Sequence, residues 1–67
     1  MPRPMKIFYL YSIEDWKRSK RTGEYIYAEG TTYSKTIEGA IKTFKDNHYG
    51  MFMVVSERKA VEVMLAA

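Results

Sequence analysis

The segment Thr36–Phe44, TIEGAIKTF, constrains this chain more than any other. Ile37, Ala40, Ile41 and Phe44 fall at i, i+3, i+4 and i+7, one face of an amphipathic helix. Thr36 supplies a cap, Glu38 sits near the start, and Lys42 and Lys45 sit near the end, so the charges complement the helix dipole. Asn47-His48-Tyr49-Gly50 breaks the pattern, which predicts a helix over 37–47. A single apolar stripe must be covered by something else in the chain. What surrounds it is a set of short β-rich runs, so the helix is expected to lie on a sheet. Gly39 costs the helix about 1 kcal/mol relative to Ala and allows it to approach that sheet closely.

Lys6–Ser12 (KIFYLYS) reads as a strand, with Phe8 and Leu10 on one face and Ile7, Tyr9 and Tyr11 on the other. Both faces are apolar, as in a central strand. Ser12 to Gly23 (SIEDWKRSKRTG) has the punctuation of a short peripheral helix over 13–21. Ser12 caps it, Glu14 and Asp15 fill the first turn, Lys17, Arg18, Lys20 and Arg21 the last, and Gly23 terminates it. Ile13 and Trp16 are its inward anchors; a long polar hairpin loop is the rival reading. Glu24–Glu29 (EYIYAE) alternates like a second strand, and Gly30 to Lys35 (GTTYSK) reads as a turn. Met51–Ser56 (MFMVVS) is a third strand. Ala60–Leu65 (AVEVML) resumes strand character, with a final helical turn as the alternative. The order is β-α-β-α-β-β. The fold class is α+β: a small antiparallel or mixed sheet of three or four strands, with the 37–47 helix on one face.

Sixty-seven residues make one domain, 1–67, with 1–5 as a frayed tail. A chain this short is only marginally stable alone. It has no cysteine, so neither a disulfide nor a thiolate metal site reinforces it, and one histidine does not make a structural zinc site. No apolar run approaches the about 20 residues that span a membrane. A cytoplasmic setting is expected. The net charge of +3 is concentrated: residues 1–21 hold six Lys/Arg against two acids, and residues 22–67 five against six. That asymmetry steers anionic partners toward the first third of the chain.

The pieces IFYL at 7–10, EDW at 14–16, GEY at 23–25, EG at 29–30, the Thr36-initiated helix ending in Phe44, and MFMVV at 51–55 together resemble the Domain of Unknown Function 952 family. Those are small proteins related to the ADP-ribosyltransferase-like fold. The resemblance covers most of 6–65. It implies a nucleotide site in which Tyr9, Tyr33 and Lys35 stand near the nicotinamide nucleotide. Two departures weigh against transferase activity. Tyr9 and Tyr33 occupy positions where the family tends to place histidines, and this chain stops earlier than family members do.

Four cations within five positions, Lys17, Arg18, Lys20 and Arg21, can neutralise phosphates beside stacking aromatics. Equally, they are the solvated basic end of a helix. Tyr9, Tyr11, Tyr25 and Tyr27 would share a sheet face if the first two strands are neighbours. With the 37–47 helix opposite, that face would be open to a partner, or would close a thin core or a dimer. His48 is accounted for by its helix-terminating turn. Glu14 and Asp15 are adjacent and point apart, so they form no acid–base pair. No nucleophilic triad or glycine-rich phosphate loop is present.

These residues point to a non-enzymatic interaction module without a cofactor. It would bind an acidic protein surface or a ribonucleoprotein through the basic segment and the aromatic face. Compact cysteine-free chains of this kind occur among phage and mobile-element inhibitors of host machinery, including anti-CRISPR proteins, an analogy of size and character. The alternatives are an NAD- or nucleotide-binding ADP-ribosyltransferase-like protein and a small nucleic-acid-binding protein.

Overall fold

The computed structural model describes residues 4–65; residues 1–3 of the expected N-terminal tail lie outside this range. The elements run β1 (Lys6–Ser12), α1 (Ile13–Thr22), β2 (Gly30–Ser34), α2 (Ile37–Asn47), β3 (Met51–Val55) and β4 (Ala60–Met64). The four strands form one sheet in the order β2-β1-β3-β4, and every neighbouring pair is antiparallel. The α+β class, the helix over 37–47 and the central place of the first strand are as the sequence indicates. The 60–64 segment is a strand, not a helical turn.

One strand differs from expectation. Glu24–Glu29 is not a strand, and the strand falls on Gly30–Ser34, where a turn was expected. The cause lies at the end of α1. Gly23 takes φ 77 and its N–H donates to the Ser19 carbonyl at 2.8 Å. Glu24 is then held against the helix: the Ser19 hydroxyl donates to its carbonyl at 2.7 Å, and Arg18 Nε to its carboxylate at 2.9 Å. The chain needs the following residues to return to β1. Pairing starts only where the Glu29 N–H meets the Leu10 carbonyl at 2.7 Å. Ladder positions therefore go to Thr31, Thr32 and Tyr33, β-branched and aromatic residues that suit a strand.

α2 covers one side of the sheet. Thr36 caps it by accepting from the Gly39 N–H at 3.1 Å. Ala40 and Phe44 are buried against Phe8 and Leu10 of β1, Val54 of β3 and Leu65, with Ile37, Ile41, Phe52 and Val63 packed around them. Leu65 is fully buried, and its N–H donates to the Gly50 carbonyl at 2.9 Å, so this residue just past β4 is part of the core. Gly39 sits where a Cβ would lie 2.4 Å from Ser34 Oγ. Its lack of a side chain is what lets α2 reach the end of β2.

α1 buries no residue fully. Ser12 caps it, accepting from the Asp15 N–H at 3.1 Å. Trp16 anchors it outside the main core. The indole packs on Tyr11 at 5.5 Å between ring centroids, on the side of the sheet away from α2.

Candidate interaction face

Directly opposed residues of an antiparallel pair point to the same side. Tyr9 faces Val55 and Thr31, Tyr11 faces Met53, and Ile7 faces Tyr33. Across β3 and β4, Met51 faces Met64 and Met53 faces Glu62. The side away from α2 therefore carries Ile7, Tyr9 and Tyr11 in its centre, Tyr33 toward one edge, and Met51 and Met64 toward the other. Tyr33 is 65%, Met51 41% and Met64 59% exposed.

The face is not open along its whole length. α1 neighbours both β1 and β3, and Trp16 lies on Tyr11. That end of the face, with Tyr11 half-buried and Met53 buried, is shielded by the helix. Tyr9 and Tyr11 stack at 6.3 Å, so Trp16, Tyr11 and Tyr9 form a continuous aromatic row. Burial pushes the Tyr11 phenol above its ordinary value, and the neighbouring Tyr25 and Tyr9 hydroxyls add to the shift.

Tyr25 and Tyr27 are not strand residues, contrary to expectation. They stand on the loop after α1, 82% and 80% exposed, edge to face at 5.0 Å from each other. The Tyr25–Tyr11 proximity still brings Tyr25 beside the face.

The four cations of α1 separate into different environments. Arg18 is engaged by Asp15 Oδ1 at 3.1 Å and Glu24 Oε2 at 2.9 Å. Lys20 Nζ lies 4.9 Å from the Trp16 ring centroid, a cation–π contact that ties it to the aromatic row. Lys17 and Arg21 are exposed and make no ion pair among the described residues. At the opposite end, Met5, Lys6, Ile7, Tyr9 and the β3–β4 turn residues Ser56, Glu57 and Arg58 line a groove of about 500 Å³. Cations thus stand at both ends of the aromatic face. Tyr9 belongs to this groove and Tyr33 lies across from Ile7, so both positions singled out by the family resemblance sit near one end of the sheet. Lys35 follows β2 at that same end, exposed.

The sequence pattern did not place Tyr33, Met51 and Met64 on this face. The signal for Tyr33 was the Thr-Thr-Tyr run itself, outweighed by the flanking Gly30 and Ser34. His48 packs edge-on between Phe44 and Phe52, at 6.0 and 6.1 Å, with Nδ1 buried and unpartnered. It lies on the α2 side, the opposite face of the sheet from the aromatic row. Among the described residues, no three His, Cys, Asp or Glu groups gather to hold a metal ion, and no helix is long and apolar enough to cross a membrane. No protein-family model, curated protein or solved structure matches this chain.

Proposed function

We propose that this chain is a non-enzymatic interaction module whose aromatic sheet face docks on a larger anionic protein or ribonucleoprotein. The observation that carries the reading is the two-sidedness of the sheet. One side is consumed by α2, while the other presents Tyr9, Tyr33, Met51 and Met64 between two sets of cations. Tyrosine and methionine supply contact area at low ordering cost, and the free cations Lys17 and Arg21 steer an acidic surface toward it. A cytoplasmic inhibitor of host machinery borne by a phage or mobile element, of the anti-CRISPR kind, is one form such a module would take.

The test is affinity capture from the native host, with and without nuclease, using wild type and a Lys17→Glu/Arg21→Glu variant. The reading expects a nuclease-resistant protein partner that the variant fails to retain. If the partner is held equally by both, the docking orientation is wrong. If all capture is nuclease-sensitive and purified single-stranded nucleic acid binds directly, the module reads nucleic acid. In that case losing Lys17 and Arg21 should flatten the salt dependence by about 0.7 per phosphate contact removed, whereas Arg18→Ala should not.

A nucleotide-binding reading is favoured by one observation: Tyr9 lines the groove that also holds Lys6 and Arg58, with Tyr33 and Lys35 at the same end. Titration with NAD, followed by Trp16 and tyrosine fluorescence, decides it. Saturation in the micromolar range supports this reading, and no response at millimolar NAD removes it.

A further inference from the structure

We infer that β2 is a self-pairing edge, through which two copies of this chain join their sheets into one. The sheet has two edge strands, and their chemistry differs. β4 reads Ala-Val-Glu-Val-Met, with Glu62 at its centre. Antiparallel pairing of two β4 strands about that centre would oppose two carboxylates, a common means of protecting a sheet edge. β2 reads Gly-Thr-Thr-Tyr-Ser, with neither a charge nor a proline. Its outer row of backbone N–H and C=O groups therefore lacks the usual guards against strand addition.

The residues around β2 favour a second copy as the occupant. Antiparallel pairing about a twofold axis at Thr32 sets Thr31 opposite Tyr33 and Gly30 opposite Ser34, and brings Glu29, just before the strand, near Lys35, just after it. An aromatic beside a β-branched residue is a favourable cross-strand pair, and each opposite-charge pair occurs twice by symmetry. Glu29 and Lys35 are exposed and make no ion pair among the described residues, so both are free to take these roles. An axis normal to the sheet keeps both α2 helices on one side. It also places the two Tyr33 rings near the centre of a doubled aromatic face. The dimer is independent of which partner that face takes.

A two-strand interface this short falls below the standard size, so the association is weak and is read by sedimentation from about 10 µM to about 1 mM. The expected result is a concentration-dependent rise from the 7.9 kDa monomer toward twice that mass. Glu29→Lys and Lys35→Glu should each weaken it about three- to tenfold, since each replaces two attractions by two repulsions. Mixing the two single variants should restore association as a 1:1 pair, because a lysine of one variant then meets a glutamate of the other at both contacts. Since the chain has no cysteine, one introduced thiol reports proximity. Opposed Cα atoms in an antiparallel pair lie about 4.5 or 5.5 Å apart, both within disulfide range. Thr32→Cys should cross-link under mild oxidation about tenfold faster than Glu62→Cys on β4. A monomer at every concentration, association indifferent to both charge reversals, or equal cross-linking at 32 and 62 would overturn the inference.

Discussion

Replacing Gly39 by alanine tests how closely α2 sits on the sheet. On propensity alone the change stabilises a helix interior by about 1 kcal/mol. Here the new Cβ would come 2.4 Å from Ser34 Oγ, roughly 1 Å inside ordinary contact, while Ser34 Cβ at 3.7 Å is not a problem. Either Ser34 rotates and gives up the bond its hydroxyl accepts from the Thr36 N–H at 3.3 Å, worth about 0.5–1.5 kcal/mol, or α2 lifts and loosens Ala40 and Phe44, at about 1–3 kcal/mol. Gly39→Ala in the wild-type background should therefore range from about 0.5 kcal/mol stabilising to about 2 kcal/mol destabilising. In a Ser34→Ala background the clash is gone and the propensity gain should reappear. The Thr36 Oγ1 contact at 3.3 Å is common to both backgrounds and cancels in the comparison. Urea unfolding of the four proteins, followed by circular dichroism, gives the coupling, expected at about 0.5–3 kcal/mol. Coupling within about 0.3 kcal/mol of zero would refute the close approach of α2 to β2.

Leu65→Ala should cost about 2–5 kcal/mol, as much as Leu10→Ala, because both side chains are fully buried in one core. In a domain this small that loss should abolish cooperative thermal unfolding, and a sharp native-like transition in Leu65→Ala would place the residue outside the core. In an absorbance titration Tyr11 should deprotonate above the ordinary range of a tyrosine phenol, since its phenol is raised by burial first and by Tyr25 and Tyr9 second. The neutral phenol is favoured in the fold, so below about pH 10 Tyr11 is protonated folded or unfolded and adds no pH dependence. Above it the unfolded chain releases the proton first, and stability should fall as pH rises. Tyr11→Phe should remove that part of the alkaline loss, and an unchanged alkaline limb would count against the shift.

How much of this was legible in the sequence depends on how local each determinant is. α2 could be read residue by residue because its stripe, cap and breaker all lie within one continuous segment, Thr36 to Gly50. β1 was legible because its alternation survives on both faces. The second strand was misplaced because its limits are set by a bond between Glu29 and Leu10, and by Glu24 being held to α1. Neither tie leaves a mark in a local pattern. EYIYAE alternates as well as any strand but has no partner to pair with there. The same non-local tie explains why the basic cluster is smaller than its composition suggests. Glu24 stands outside the strand that its alternation implies and takes up Arg18. Trp16 is an anchor, as its spacing from Ile13 indicates, but on the other side of the sheet, since a short helix leaving a central strand can fold back over either face.

The side of the sheet that carries the aromatic row is the side a partner should touch. A photo-reactive amino acid placed at Tyr33, on that side, and at Lys42, an exposed position on α2, measures this directly in the native host. The expected result is a discrete cross-linked product heavier than a dimer of this chain from position 33 and none from position 42. A product from 42 with nothing at 33 would contradict it.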